Sequence, residues 1–299
     1  MAISVKRALE LIEWLDLIAF FTRSVSVITF MKTILTSLAC LSLIGFSLAE
    51  EESSVEKIDM SPAADAVSLF DGESLTHWKP KKGDEAFWSV KGGEICGGNL
   101  KKNVPRNVWL ISDKNYENFE LTFAVKFTDG GGSGLKNSGV QVRSLPDSKG
   151  ICGYQIDAGP TRDDKVINDG LGYWGNIWDE HRRGGIVVAE NQEQLMASIK
   201  QYDGWNYYKV ICNGTSIKTW INGILAHDYV EENPKVAADG ILALQAHRGG
   251  KFLVHFKDIA IKEFSPTEGS PKWTDRGILK GRTKKGKKGK GKKKAPAQN

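Results

Sequence analysis

Three segments of the chain place polar side chains where the pattern asks for a half-buried sheet face. In Asn137-Ser138-Gly139-Val140-Gln141-Val142-Arg143, strict alternation puts Asn137, Gln141 and Arg143 on one side and Val140 and Val142 on the other. In Gly153-Tyr154-Gln155-Ile156-Asp157, Gln155 and Asp157 share a side opposite Tyr154 and Ile156. In the run 240–247, Gln245 and His247 share a side late in the strand. A solvated sheet face is usually rich in Lys, Glu and Thr; this one holds amides, one Arg, one Asp and one His. If the three strands are neighbours, these residues form one polar surface. A His near neutrality serves as acid or base, carboxylates do the same once tuned, and amides orient hydroxyls. The plain alternative is an ordinary solvated face.

Between the second and third of these strands lies the segment 170–186, GLGYWGNIWDEHRRGGI. It holds Tyr173, Trp174, Trp178, Asp179, Glu180, His181, Arg182 and Arg183, flanked by glycines, and reads as a long loop. Aromatic faces suit the apolar faces of sugar rings, while carboxylates, amides and arginines suit hydroxyls. Trp174, Trp178 and Arg182 are therefore candidate sugar contacts, and Glu180 a candidate acid or base. The alternative is a loop that packs its tryptophans on the body, held by Arg–carboxylate pairs. The chain has no G-x-S-x-G, H-E-x-x-H or G-x-x-x-x-G-K-[ST] motif. It also lacks the E-x-D-x-x-E spacing of sandwich-type glucanases, which counts against ordinary retaining glycosidase chemistry.

The elements that must position these residues read as strands. Residues 120–127 set Leu121, Phe123, Val125 and Phe127 on one face and Glu120, Thr122 and Lys126 on the other. Asn222-Gly223 and Gly92-Gly93 sit between apolar runs as hairpin turns, Asn213-Gly214 marks another, and Lys257-Asp258 marks a bulge in 251–264. Only 187–200 has helical spacing. Strands at roughly 8–12 residue intervals predict an all-β fold, an antiparallel β-sandwich with one or two short helices, with a barrel as the alternative.

The chain has 299 residues, 41 Lys+Arg, 36 Asp+Glu and a net charge of +5. Eleven Lys/Arg and no acid lie between Arg276 and Lys294, so residues 50–275 sum to −7 once the +1 of the first 49 residues is also removed. The basic character belongs to the end of the chain, and no nucleic-acid-binding fold is described by this composition. Residues 31–49 carry Lys32, an apolar run and Ser47-Leu48-Ala49, as a cleaved signal peptide does. The expected organisation is an N-terminal extension (1–30) before a true start at Met31, with a long signal anchor as the alternative, then a signal peptide (31–49), a linker (50–65), a sandwich (66–265) and a disordered Lys/Gly-rich tail (266–299). Secretion or a periplasmic location follows. The tail is a candidate for contact with an anionic surface. Three cysteines remain after cleavage, Cys96, Cys152 and Cys212; an odd number permits one disulfide at most, and buried small hydrophobes are the simpler reading.

One further order is visible. Phe70-Asp71-Gly72, Leu75 and Trp78 are followed by Phe119-Glu120-Leu121, Asn137-Ser138-Gly139-Val140 with Arg143, and Tyr154-Gln155-Ile156-Asp157. Then come Trp205-Asn206 with Tyr208, Trp220-Ile221-Asn222-Gly223, and Gly240-Ile241 with Leu244-Gln245 and His247. This ordered set resembles the 3-keto-disaccharide hydrolase family over about residues 66–264. The resemblance implies a concanavalin A-like jelly roll, exported, that cleaves glycosides whose ring is already oxidised at C3. The ketone acidifies the C2 proton; a base removes it, the enolate expels the C1 substituent, and water adds to the enone. Under this reading His247 is the first choice for acid or base, with Glu180 and Asp157 as carboxylates. Arg143 would be the enolate donor, Asn137, Gln155 and Gln245 would orient hydroxyls, and Trp174 or Trp178 would stack. A divalent cation could replace Arg143, with Asp157, Glu180 and His247 as ligands. The rival reading is a lectin-like module that binds glycans without turnover, and a third is a structural envelope protein.

Overall fold

The computed structural model describes residues 57–159 and 173–281. All of them belong to one compact unit, Val55–Asn299. The expected signal peptide, the extension before it and the Lys-rich run after Gly281 lie outside the described residues.

Two antiparallel sheets account for the described residues. The first runs in the order β13 (Ile224–Val230), β12 (Ser216–Ile221), β11 (Asn206–Asn213), β6 (Phe119–Asp129), β15 (Phe252–Glu263), β4 (Glu94–Asn99) and β3 (Trp88–Lys91), with β1 (Val67–Ser68) also on β15. The second runs β10 (Gly184–Val187), β9 (Ile177–Glu180), β8 (Ile151–Ala158), β7 (Ser138–Pro146), β14 (Gly240–Ala246), β5 (Val108–Tyr116) and β2 (Trp78–Pro80). The sheets stay separate, so the molecule is a sandwich and not a barrel. Leu121, Phe123, Val125 and Phe127 of β6 share one core with Val140, Val142, Tyr154, Ile156, Leu242 and Leu244 of the second sheet. Period-two burial on both inner faces is what closes it.

The turns follow their residues. Asn222 and Gly223 have φ of 50° and 87°, and Gly92 and Gly93 have 61° and 77°, the left-handed pairs that match the twist of a two-residue hairpin. Asp258 has φ 52° at a register shift between β15 and β6. The helix is shorter than its spacing suggests: α1 spans Gln192–Ser198, after β10 has taken residues up to Val187. Residues 266–281, assigned to the tail on composition, are part of the body, because Trp273 is buried against Cys152 and Ala237. Cys96, Cys152 and Cys212 are free and buried.

One edge of the sandwich is tied by charge. Asp179 of β9 is fully buried and accepts from Arg182 Nε at 2.6 Å and Arg183 Nε at 2.5 Å. Arg183 reaches on to Glu231, just beyond β13 in the other sheet, at 2.6 Å. Tyr154 and Tyr229 also donate to Glu231. Burial pushes the Glu231 pKa up, but Arg183, Tyr154, the Asn233 backbone N–H and Tyr229 outweigh it and bring it down to about 2. A lowered carboxylate pKa contributes stability above its unfolded value of 4.5, and that stability is lost as pH falls toward 2. Glu231→Gln is therefore expected to cost on the order of 3 kcal/mol at neutral pH, with the gap to wild type closing in acid. Urea midpoints measured across the acid range check this; a gap that does not change with pH refutes the assignment.

Candidate functional site

The register of the second sheet builds one polar outer face. Val140, Val142, Tyr154, Ile156, Leu242 and Leu244 point into the core, so their neighbours along each strand point away from it. One row across that face reads Trp109, Gln245, Gly139, Asp157. The next reads Ile111, Ala243, Gln141, Gln155, Trp178. Glu180 lies opposite Gly153 in the row beyond. At the other end, Asn137 and His247 meet, the His247 backbone N–H donating to the Asn137 carbonyl at 3.0 Å. Asn137, Gln155, Asp157, Trp178, Glu180, Gln245 and His247 thus share this face.

The middle of the face is a sealed hydrogen-bond chain. Ser144 Oγ donates to Gln141 Oε1 at 2.7 Å, and Gln141 Nε2 donates to Gln155 Oε1 at 3.0 Å. Gln155 Nε2 then donates to Asp157 Oδ1 at 2.6 Å and to Gln245 Oε1 at 3.2 Å. Gln245 Nε2 is buried and has no partner among the described residues. Two glycines make room for the chain. A Cβ at Gly139 would stand 2.6 Å from Gln155 Cγ, and one at Gly153 would stand 2.2 Å from Ser144 Oγ. Burial holds the Asp157 carboxyl well above the usual carboxylate range; the Gln155 bond opposes this and the Glu180 charge adds to it.

Beside this chain the face opens into a cavity of about 600 Å³ lined by Trp109, Trp178, Glu180, His181 and His247 among others. A second cavity of about 390 Å³ adjoins it, sharing Trp178, Glu180 and His181 and adding Asp147. His181 has φ 58° in the turn after β9, so it breaks alternation and lines the cleft together with its neighbour Glu180. Its Nδ1 lies 2.9 Å from Asp147 Oδ2 and its Nε2 lies 3.2 Å from Glu180 Oε1. Burial raises the Asp147 pKa, but His181 and the backbone N–H groups of Lys149 and Gly150, each at 2.7 Å, bring it below its ordinary value. Asp147 is thus a fixed anion that orients the imidazole. His247 Nδ1–H donates to the Arg248 carbonyl at 2.6 Å, and burial pushes its pKa down, leaving Nε2 as a lone pair.

Three expected site residues lie elsewhere. Arg143 has φ 48° at a bulge where β7 shifts register on both neighbours, so its side chain turns away from the Gln141 face and Ser144 takes its place. Its buried guanidinium donates to the carbonyls of Glu117 and Gly214, both at 2.8 Å, and to Asn118 Oδ1 at 3.0 Å. Trp174 has no solvent exposure; it packs edge-on against Phe127 in the core, and its Nε1 donates to Gln201 Oε1. Arg182 is buried over the rings of Tyr154 and Trp273, with its Nε on Asp179. The segment 170–186 is not one long loop: from Ile177 onward it is the β9–β10 hairpin, while residues 170–172 lie outside the described residues. The cation arrangement with Asp157, Glu180 and His247 does not fit either. Among the described residues, the His/Cys/Asp/Glu donor atoms that converge are those of Glu94, Cys96 and His255, on the other sheet.

Sequence reasoning passed over Asp147, His181 and Trp109 as functional groups. The Asp147-Ser148-Lys149-Gly150 turn between β7 and β8 is a signal that could have drawn attention to Asp147.

The fold defines an antiparallel β-sandwich, and the family into which the chain falls is carbohydrate-active. The chain belongs to the 3-keto-alpha-glucoside-1,2-lyase-like domain family, whose profile matches residues 65–262. No curated protein matches it. Among solved structures it is similar to a protein from Parabacteroides distasonis ATCC 8503 provisionally named a glycosyl hydrolase. That match has 20% identity and a TM-score of 0.48, and covers 70% of this chain and 100% of the other. It is also similar to the carbohydrate binding module CBM66 from Bacillus subtilis, with 14% identity, a TM-score of 0.44, and 63% and 96% of the two chains covered.

Two predictions separate core from cleft. Trp174→Ala is expected to cost about 3–5 kcal/mol of stability, as for a buried aromatic. Trp178→Ala, at a ring 44% exposed, is expected to leave the thermal midpoint nearly unchanged and to weaken glycan binding. Calorimetry on both variants decides it; equal losses of stability refute the assignment. For Asp157 the sign runs the other way from Glu231. A raised carboxyl pKa gives stability that is full below 3.8 and lost as pH rises through the folded value. The thermal midpoint of Asp157→Asn should therefore climb relative to wild type between about pH 4 and 8; a flat difference refutes the buried, proton-retaining carboxyl.

Proposed function

We propose that the protein is an exported enzyme that cleaves glycosides already oxidised to a ketone at C3. Family membership supports the substrate class. The observation that carries the chemistry is the pairing, in one cleft, of a neutral His247 with a Glu180–His181 couple oriented by Asp147.

The C3 ketone acidifies the C2 proton. His247 Nε2 accepts that proton, and the electron pair moves into a C2–C3 enolate. The enolate re-forms the ketone, C1–C2 becomes a double bond, and the C1–oxygen bond breaks. The leaving oxygen takes the proton shared by Glu180 and His181. Water then adds at C1 with its proton returned to the Glu180–His181 couple, and protonated His247 returns its proton to C2, so the net reaction is hydrolysis. The cations at the rim, Lys149 and Arg248, replace Arg143 as the groups that favour the enolate. Trp178 offers an exposed ring for a sugar face, and the buried Gln155–Gln245 amide pair stiffens the sheet beside the cleft. The exposed Trp178 beside amides equally suits the second reading, a glycan-binding module without turnover.

Incubation with a 3-keto-glucoside, following release of 3-keto-glucose, tests the proposal. Turnover is expected, with the acid limb of kcat/KM below the 6.5 of an ordinary histidine, because the His247 pKa is lowered. His247→Ala and His181→Ala should each lower kcat by about 10²–10⁴ with little change in thermal midpoint. Glycan binding with no product would favour the module reading and overturn the enzyme.

A further inference from the structure

The sandwich is acidic, with residues 50–275 summing to −7, yet the cleft is ringed by positive charge. The larger cavity is lined by Lys81, Lys82, Arg106, Lys149 and Arg248, against two carboxylates, Asp84 and Glu180. Arg106 and Asp84 satisfy each other in an ion pair at 2.5 Å. Glu180 is occupied by His181. Lys81, Lys82, Lys149 and Arg248 make no ion pair among the described residues, although the Lys81 and Lys82 charges act on Asp84 and Glu85. The adjoining cavity is lined by Lys149 and adds Lys280 and Asp147, the latter already held by His181 and by two backbone N–H groups.

Unpaired cations on an acidic body are ordinarily dispersed, where they offset nearby acids. Here they converge on the walls of one concavity that also holds the rings of Trp109 and Trp178. Low-dielectric walls lined by one sign of charge focus the field into the cleft and raise the local concentration of the opposite charge. Trp109 and Trp178 account for a neutral sugar ring; they give no reason for four cations without an ion pair around it.

We infer that the cleft takes glycans bearing negative charge, with a carboxylate or sulfate ester on the unit next to the bond being read. This rests on the proposal that the cleft is a sugar site and specifies the substrate class. Lys149 stands where the two cavities meet and is the central contact. Lys81, Lys82 and Arg248 provide further positive charge around the larger cavity.

Equilibrium binding of the full-length chain to three oligosaccharides of equal length tests this: a neutral one, a uronate-bearing one and a sulfated one. An anionic ligand is expected to bind at least about tenfold tighter than the neutral one at low salt, with most of that preference lost near 0.5 M salt. The tighter of the two anionic arms identifies the source of charge. The double variants Lys149→Gln/Arg248→Gln and Lys149→Glu/Arg248→Glu, whose sites are exposed, should lower the anionic-to-neutral ratio in that order. Equal affinity for all three sugars, or binding to none, overturns the inference. A preference that survives in both double variants also overturns it, since Lys149 and Arg248 are then not the groups that read the charge. Because the readout is binding, the outcome is separable from catalysis. Turnover of 3-keto-glucosides without a charge preference sinks only this inference, and a charge preference without turnover sinks only the enzymatic reading.

Discussion

The left-handed residue at Arg143 sets the phase of everything that follows on the outer face of the second sheet. Up to Val142, β7 alternates core and outer face without interruption. One residue at φ 48° resets the count, so that Ser144 rather than Arg143 joins Gln141. A left-handed arginine is strained. It is held there because its guanidinium satisfies the Glu117 carbonyl and the Asn118 side chain between β5 and β6, and the Gly214 carbonyl between β11 and β12. Those acceptors lie where the chain crosses from one sheet to the other and where the first sheet turns back. A single buried cation thus joins both layers and fixes which side chains reach the outer face.

The face itself divides by solvent access. Where Gly139 and Gly153 remove side chains, the amides of Gln141, Gln155 and Gln245 close over one another and over Asp157. This part is dry, and its consequence is a carboxyl that resists ionisation. Where β9 turns into β10, the left-handed His181 brings two adjacent side chains to the same opening, and the Asp147 turn supplies the anion that orients them. The sealed part provides rigidity, and the open part provides exchangeable protons and an exposed ring. A rigid floor beneath adaptable groups is what a pre-organised site needs.

This division explains what was legible in the sequence. Leu121, Phe123, Val125 and Phe127 declare their face by alternation, and Asn222-Gly223 declares its turn by residue type. Both are local signals, and the structure follows them. Asn137, Gln155, Asp157, Gln245 and His247 were placed on one face by alternation because no bulge interrupts their strands before them. Arg143 was misplaced because a left-handed arginine leaves no mark in a period-two pattern. Glu180 and His181 look like opposite-facing neighbours until the turn between them and Arg182 is known. Trp174 and Trp178 are indistinguishable by type and spacing; only the packing of Phe127 against the first ring separates a core tryptophan from an exposed one.

Charge shows the same dependence on placement. The net +5 hides an acidic body and a basic end, and the acidic body in turn hides a basic cleft. Asp84, Asp147 and Glu180 all lie at the cleft, yet each is already occupied, by Arg106 or by His181. Arg106 offsets Asp84, a single imidazole serves both Asp147 and Glu180, and the six cations that line the two cavities outnumber these three carboxylates. A count of acids and bases along the chain cannot separate these groups, because pairing depends on distances across strands. The cleft is positive because the strands and turns that meet there bring six cations to its walls against three carboxylates.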